Sequence, residues 1–186
     1  MKRAAVALVL LTSCASQQVM LEVQAPATRP EEPSGAESAT VVRIVDGDTV
    51  EVVIDAISPG PGAGETTIGE AYIVRLIGID TPESVKPGTP VECFAKEASA
   101  ATKALLEGAA VTMVKDVENT DRYDRLLRYI YMEDEMANAR LVVNGYASAY
   151  TYPPNVRWSE LFVQLQREAR ENDRGLWGPG TCGGNP

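Results

Sequence analysis

A turn signal between two runs of β-branched residues most constrains the fold of this chain. Residues 46–49 read Asp-Gly-Asp-Thr, and the flanking segments 41–45 and 50–54 consist mostly of valine and isoleucine. β-Branched side chains favour strands, and Asp-Gly is a strong signal for a tight hairpin turn. The segment therefore predicts a β-hairpin with Asp48 at its rim.

Further strands and helices follow along the chain. A stretch rich in glycine and proline, residues 58–69, predicts a long loop before the third strand. That strand ends at Thr81-Pro82, because proline cannot donate a hydrogen bond to a neighbouring strand. The predicted strands are Val41–Val45, Val50–Ile54, Ala71–Ile79, Ala110–Val114 and Leu126–Met132, and the predicted helices are Val91–Leu106, Glu135–Val143 and Asn155–Asn172. The pattern by itself indicates an α+β domain.

Apolar residues at helical spacing support the first and last of these helices. The stripes are Phe94, Ala98, Ala101 and Leu105 in the first helix, and Trp158, Leu161, Phe162, Leu165 and Ala169 in the last. Both helices are expected to pack on the sheet through these stripes.

Two further segments place charged side chains after apolar, strand-like runs. Residues 75–83 read Arg-Leu-Ile-Gly-Ile-Asp-Thr-Pro-Glu, and residues 121–125 read Asp-Arg-Tyr-Asp-Arg. Carboxylates such as Asp48, Asp80 and Glu83 can bind a hard cation or act as a base. The planar guanidinium of Arg75 can hold a phosphate oxygen bidentately. These segments predict a site for a phosphate and a metal ion.

The chain contains no histidine. Its absence excludes a Ser-His-Asp triad, a Cys-His pair and any histidine-based hydrolytic site. Hydrolytic chemistry here has to use carboxylates, arginines, tyrosines and a bound ion.

In order and spacing, these segments resemble the staphylococcal nuclease (thermonuclease) family. The family pattern is Asp-Gly-Asp-Thr, then an arginine separated by four residues from Asp-Thr-Pro-Glu, then Tyr-x-Arg. The resemblance covers roughly Val41 to Trp177. Each piece alone is common, but three in order across one domain are specific. The resemblance implies a five-stranded Greek-key β-barrel of the oligonucleotide-binding type, capped by about three α-helices.

The resemblance also implies a calcium site. Asp48, Asp80 and the Thr81 carbonyl would bind Ca²⁺, which accepts six to eight oxygen ligands. Asp46 would lie just outside these ligands. From the residues alone, Asp48 could instead be a turn former bonded to its own backbone, and Asp80 a helix cap.

Arg75 and Asp80 are five residues apart, which points their side chains to opposite faces of an ideal strand. Both can serve one site only if the chain bends between them. A bend or bulge near Gly78 is therefore expected.

By the same resemblance, Glu83 is the general base for the attacking water, and Arg75 and Arg125 stabilise the phosphate. In-line attack would leave a 5′-hydroxyl end. Alternatively, Glu83 could be an acidic residue in a first helical turn, and the arginines could form surface ion pairs with Asp121 and Asp124.

Arg122, Tyr123, Tyr150 and Tyr152 fall where the family binds nucleotide bases and the terminal phosphate. Aromatic rings stack on any base, so the implied substrates are both DNA and RNA, single-stranded or locally open. The enzyme is expected to be a monomer. For each tyrosine, above all Tyr152, partial core burial is the alternative. Asp124 stands where many family members carry glycine, and its carboxylate could lower the affinity for a polyanion.

Net charge opposes nucleic-acid binding. The chain carries −9, and removal of Lys2 and Arg3 with a signal peptide makes this −11, since residues 1–13 contain no acid. Nonspecific affinity for DNA is therefore expected to be low and salt-sensitive. Calcium and four arginines, Arg75, Arg122, Arg125 and Arg128, could reverse the field locally. A catalytically inactive nuclease fold that binds oligonucleotides or calcium is the alternative function.

The N-terminus has the features of a bacterial lipoprotein signal. Two basic residues precede an apolar run too short to span a bilayer, and residues 11–14, Leu-Thr-Ser-Cys, are similar to the lipobox, which makes Cys14 the candidate lipidation site. The predicted organisation is a signal peptide at 1–13, a disordered tether at 14–40, a nuclease-like domain at 41–178 and a tail at 179–186. We therefore expect an extracytoplasmic lipoprotein on an outer membrane or cell surface, or a secreted protein if this is an ordinary cleaved signal.

Lipidation of Cys14 would leave Cys93 and Cys182 in an oxidising compartment. They could form a disulfide bond or remain two thiols, because sequence does not show whether their Cα atoms come within reach. A zinc site is disfavoured, with two cysteines and no histidine.

Overall fold

The computed structural model describes residues 33–84, 88 and 90–184. The predicted signal peptide, Cys14 and residues 14–32 of the predicted tether lie outside the described residues. Within the described part, no helix is both long and apolar enough to cross a membrane.

Four strands precede the first α-helix, three lie between the first and second, and one lies between the second and third. The strands are β1 (Ala36–Asp46), β2 (Thr49–Ser58), β3 (Ala71–Leu76), β4 (Ile79–Asp80), β5 (Ala110–Val114), β6 (Leu126–Met132), β7 (Glu135–Met136) and β8 (Ser148–Ala149). The helices are α1 (Ala95–Leu106), α2 (Ala137–Val143) and α3 (Ser159–Glu171), followed by 3₁₀ turns at Gly175–Trp177 and Thr181–Gly184.

Five of the strands close a barrel. β1 pairs antiparallel with both β2 and β5, β2 pairs with β3, and β5 pairs with β6. A parallel pairing between β3 and β6 closes the ring. Register shifts at three points along β1 bend this 11-residue strand so that it serves two neighbours. The predicted α+β fold, a five-stranded barrel of the oligonucleotide-binding type with three helices, is confirmed.

The barrel interior is filled by side chains that alternate along the strands. On β2, Val50, Val52 and Ile54 are buried while Glu51 and Val53 are partly exposed. β6 is buried almost throughout, because the barrel lies on one side of it and α2 packs on the other. The hairpin predicted at Asp-Gly-Asp-Thr is therefore one side of the hydrophobic core.

Three strand boundaries differ from the sequence prediction by three residues or more. β2 runs to Ser58 and not only to Ile54. β1 begins at Ala36, so residues 36–40 belong to the barrel and not to a tether. The third strand ends at Leu76 and not at Ile79, because the chain turns at Ile77 and Gly78 before β4. Local composition did not reveal the extra β1 residues, since polar side chains among them read as linker.

Helix starts also differ. α1 begins at Ala95 because Phe94 adopts a left-handed conformation (φ 68°) and stacks on Tyr146 with ring centroids 5.6 Å apart. α2 begins at Ala137, since the two residues before it extend the sheet as β7. α3 begins at Ser159, so Trp158 of the predicted stripe precedes it. Phe162, Leu165 and Ala169 of that stripe are buried, and Leu161 is partly buried.

A bidentate ion pair between Glu37 and Arg128 is fully buried. Arg128 Nε lies 2.7 Å from Glu37 Oε2 and Nη2 lies 2.9 Å from Oε1, and neither side chain is exposed at all. Arg128 also donates to the carbonyl and side-chain oxygens of Asn119. Glu37 Oε1 accepts from the Gly64 N–H and the Thr66 hydroxyl, both at 3.1 Å. The pair joins β1, β6 and the loop 59–70. Because Glu37 neutralises the Arg128 charge inside the fold, the expectation that Arg128 offsets negative charge at the site is wrong.

A disulfide bond joins Cys93 to Cys182, with Cα atoms 5.5 Å apart. The bond joins the residue two positions before α1 to the 3₁₀ turn at Thr181–Gly184, and the two cysteines are 89 residues apart in the chain. In the chain-entropy model, a cross-link of this span stabilises the fold by about 4.6 kcal/mol.

Candidate active site

Asp48 lies in the turn between β1 and β2, and its carboxylate reaches across to the segment after β4. Asp48 Oδ2 accepts hydrogen bonds from the Thr81 N–H at 3.0 Å and the Thr81 hydroxyl at 3.2 Å. Gly47 is required beside it, because a Cβ atom there would lie 2.6 Å from Thr81 Oγ1. Asp48 is therefore more than a turn former, since it joins two segments that are 33 residues apart.

The chain reverses direction at Ile77 and Gly78. Gly78 has φ +80°, and a Cβ atom there would lie 2.2 Å from the Phe162 ring, so both the backbone and the packing require glycine. This turn brings Asp80 back beside Arg75. The predicted bend is present, and it places both side chains in one site.

Arg75 bridges the two carboxylates. Its Nη2 atom lies 3.1 Å from Asp48 Oδ2 and 2.8 Å from Asp80 Oδ1. Its Nη1 atom donates to the carbonyls of Leu76 and Ile79 at 3.0 and 2.9 Å. These four contacts fix the guanidinium direction, and they show that Arg75 belongs to the site and is not a surface arginine.

Negative charge is concentrated around Asp80. Loss of water on burial is the main cause that raises the pKa of the Asp80 carboxyl, even though 55% of the side chain is exposed. The positive charge of Arg75 lowers this pKa, while the negative charges of Asp48, Glu92 and Asp46 raise it further. A cation bound among these carboxylates would favour their ionised forms.

The donor chemistry around Arg75 fits a calcium ion. Asp48 and Asp80 already direct one oxygen each toward a single cationic atom, Arg75 Nη2. The Thr81 carbonyl, next to Asp80 in the chain, is the third oxygen ligand that the family resemblance predicts. Ca²⁺ accepts oxygens of both kinds together with water. Among the described residues, no group of three or more His, Cys, Asp or Glu side chains is arranged to hold a metal ion. Asp48 and Asp80 would supply the charged ligands for such an ion.

The backbone around Glu83 is held from two sides. The Glu83 N–H donates to Glu92 Oε2 at 2.9 Å, and its carbonyl accepts from the Glu92 N–H at 3.0 Å. The next residue, Ser84, donates its hydroxyl to Asp46 Oδ1 at 2.5 Å and its N–H to Asp46 Oδ2 at 3.3 Å. Asp46 thus secures the Glu83 segment. Glu83 lies outside any helix, because α1 begins only at Ala95.

Arg125 is oriented by Asp121. Asp121 Oδ1 accepts from the backbone N–H groups of Tyr123 and Arg125, and Oδ2 lies 2.7 Å from Arg125 Nε. Arg75 pairs with Leu127 across the parallel β3–β6 ladder. Arg125 immediately precedes β6 and lies two residues before Leu127, so strand alternation predicts that its side chain is on the same face as that of Arg75. The alternative ion pair of Arg125 with Asp121 is present, and it fixes the direction of the guanidinium.

The predicted substrate-binding tyrosines are exposed. Tyr150 and Tyr152 stack with ring centroids 6.3 Å apart, and they are 49% and 62% exposed. The Tyr150 N–H donates to the Gly78 carbonyl, which places the pair beside the Arg75–Asp80 turn. Tyr123 is 63% exposed and accepts a hydrogen bond from Arg122 at its hydroxyl. Core burial therefore does not explain any of the three rings.

Comparison with known proteins agrees with this geometry. The family model described as staphylococcal nuclease homologue matches residues 73–179. The thermonuclease of Staphylococcus intermedius is 40% identical over 141 residues, which is 76% of this chain and 76% of that protein. This chain belongs to the staphylococcal nuclease family. The thermonuclease of Staphylococcus hyicus is 38% identical over 137 residues, covering 74% of this chain and 73% of that protein. The SPbeta prophage-derived endonuclease YokF of Bacillus subtilis is 31% identical over 140 residues, covering 74% of this chain and 43% of that protein.

Sequence reasoning missed several residues that support this staphylococcal nuclease site. Glu92 and Ser84 hold the Glu83 segment, and the Thr102 hydroxyl donates to the Gly47 carbonyl at 2.5 Å. Their contacts form only when distant segments meet, so no local pattern marks them. Asp121 had a local signal, since an aspartate commonly accepts from backbone N–H groups shortly after it in a turn.

Proposed function

We propose that this protein is a Ca²⁺-dependent nuclease that hydrolyses phosphodiester bonds of DNA and RNA outside the cytoplasm. The observation that carries the proposal is the bridge of Arg75 between Asp48 and Asp80, with Glu83 held a few residues away. Membership of a family whose named relatives are thermonucleases and endonucleases supports the same chemistry.

Each side chain has a role that follows from its chemistry. Bound Ca²⁺ would polarise the scissile phosphate and neutralise part of its charge. Glu83 accepts a proton from a water that attacks the phosphorus in line with the P–O5′ bond. That bond breaks, and the leaving oxygen takes a proton from solvent to become a 5′-hydroxyl. Arg75 and Arg125 donate to the equatorial phosphate oxygens, where negative charge develops. Asp121 holds the Nε edge of Arg125, so this donor is oriented before the phosphate arrives.

The exposed rings support a preference for single-stranded or locally open substrate. Tyr150 and Tyr152 stack on each other beside the site, and Tyr123 adds a third exposed ring next to Arg125. Such rings bind bases that have left a duplex, without reading their identity. A duplex would have to open before its bases reached them.

An extracytoplasmic location is part of the proposal. The disulfide bond between Cys93 and Cys182 supports it, because such bonds persist in oxidising compartments. The lipobox-like segment ending at Cys14 supports attachment to a membrane through a lipid.

The proposal is tested by cleavage of labelled single-stranded DNA, duplex DNA and RNA with purified protein in Ca²⁺, in Mg²⁺ or in excess EGTA. We expect cleavage in Ca²⁺, its loss in EGTA and faster cleavage of the single strands, with 5′-hydroxyl products. If the folded protein bound oligonucleotide but cut none of these substrates in either metal, the proposed nuclease activity would be wrong and a binding module would be the better interpretation.

Asp124 is predicted to weaken substrate binding. It is exposed, it lies between Tyr123 and Arg125, and its left-handed backbone (φ 59°) suits asparagine as well as aspartate. Asp124→Asn removes one negative charge beside the phosphate without disturbing the turn. We expect KM for single-stranded DNA to fall about threefold at low salt, with kcat unchanged, because one repulsive charge is removed.

Asp173 provides the matched control, because it is also an exposed aspartate with positive φ (52°) but lies after α3. Asp173→Asn is expected to leave both kinetic constants unchanged. If the two variants behaved alike, Asp124 would have no special effect on affinity.

A further inference from the structure

Two hydrogen bonds join Glu83, the proposed general base, to Glu92. The Glu83 N–H donates to the Glu92 carboxylate at 2.9 Å, and the Glu92 N–H donates to the Glu83 carbonyl at 3.0 Å. One contact uses the Glu92 side chain and the other uses its backbone. The side-chain contact is the one that a substitution can remove.

Glu92 stands at a well-anchored point of the chain. The next residue, Cys93, is bonded to Cys182, and Phe94 stacks on Tyr146. The Ala95 N–H at the start of α1 donates to the Glu92 carbonyl at 3.2 Å. Glu92 is therefore held in place by the disulfide bond and the start of α1, and its hydrogen bonds hold the Glu83 backbone in turn.

The hydrogen bond from the Glu83 N–H to the Glu92 carboxylate is expected to contribute little to the free energy of unfolding. A positioning role for Glu92 can therefore be separated from a role in folding. Glu92 is exposed, and hydrogen bonds between exposed partners are weakened by competition with water. Geometry at a reacting centre is far more sensitive, since a displacement of about 1 Å can lower a rate about a hundredfold.

We propose that Glu92 is a positioning residue of this nuclease: its carboxylate holds the Glu83 backbone so that the Glu83 side chain faces the water beside Asp48 and Asp80. This inference rests on the proposed function.

The test compares Glu92→Ala, which removes the acceptor, with Glu92→Gln, which keeps an acceptor oxygen on a side chain of the same length. The control is Glu97→Ala, an exposed glutamate in the first turn of α1, five residues away. For each protein, kcat, KM, the thermal midpoint and the amide hydrogen exchange rate of Glu83 are measured.

We expect Glu92→Ala to lower kcat about tenfold to a hundredfold, with KM within about twofold of the wild type. We also expect Glu83 amide exchange to accelerate and the thermal midpoint to change little. Glu92→Gln should restore most of the rate and the amide protection, and Glu97→Ala should match the wild type.

Two results would overturn the inference while leaving the proposed function intact. In the first, the wild type cleaves and Glu92→Ala retains kcat within about twofold. In the second, kcat falls equally in Glu92→Ala and Glu92→Gln together with the thermal midpoint, which is the signature of a purely structural residue. A folded wild type that cleaves nothing would instead overturn the proposed function, and this inference with it.

Discussion

Glu83→Gln is expected to lower kcat about a hundredfold to ten-thousandfold, because glutamine cannot accept the proton of the attacking water. KM should change little, since the residues proposed to bind the phosphate and bases are untouched. The fold should persist, because the contacts of Glu83 with Glu92 use the Glu83 backbone N–H and carbonyl, which the substitution retains. The measurement is steady-state cleavage of single-stranded DNA in Ca²⁺, with circular dichroism to verify folding.

Glu107→Gln is a suitable control, because Glu107 is an exposed residue at the end of α1 that pairs with Lys103. It should cleave at the wild-type rate. If folded Glu83→Gln retained more than about a tenth of kcat, another group would be taking the proton and the role given to Glu83 would be wrong.

Glu37→Gln is expected to destabilise the protein by about 3–5 kcal/mol, because it leaves the Arg128 charge buried without a partner. Both side chains are fully buried, and the pair also holds the loop 59–70 through the Gly64 N–H and the Thr66 hydroxyl. Urea unfolding at neutral pH gives the change in free energy. Adding Arg128→Met to Glu37→Gln should recover part of the loss, because the uncompensated charge is then removed.

Arg43 and Glu51 provide a matched pair at the surface, with N and O atoms 2.8 Å apart and the Arg43 side chain 58% exposed. Glu51→Gln should cost about 1 kcal/mol or less, since exposed ion pairs contribute little. A loss for Glu37→Gln no larger than this would show that the buried pair is not what joins β1 to β6.

Much of the barrel could be predicted from local pattern. The β-branched runs around Asp-Gly-Asp-Thr predicted the β1–β2 hairpin, and the apolar stripe of α3 predicted which of its faces is buried. The start of β1 was missed because the residues before Val41 are small or polar. Glu37 reads as a linker residue until Arg128, 91 residues away in sequence, pairs with it.

The motif identified the candidate site residues, but it did not predict how their side chains are arranged. A five-residue offset between Arg75 and Asp80 suggested that the chain bends, and the turn at Gly78 supplies the bend. The sequence did not show that one Arg75 nitrogen would lie between Asp48 and Asp80, or that Asp46 would hold Ser84. Arg75 and Asp48 lie 27 residues apart in the chain, and Asp46 and Ser84 lie 38 apart, so no local pattern reports these contacts.

The sequence by itself determined the chemistry that is available to this protein. The absence of histidine, the carboxylates beside an arginine and the turn glycines all follow from residue identity. Tertiary structure decided which charges are used where, burying Arg128 with Glu37 while placing Arg75 between Asp48 and Asp80. The physical reason is that conformational preference is a property of neighbouring residues, whereas a buried charge is stabilised only by a partner brought to it through closure of the barrel.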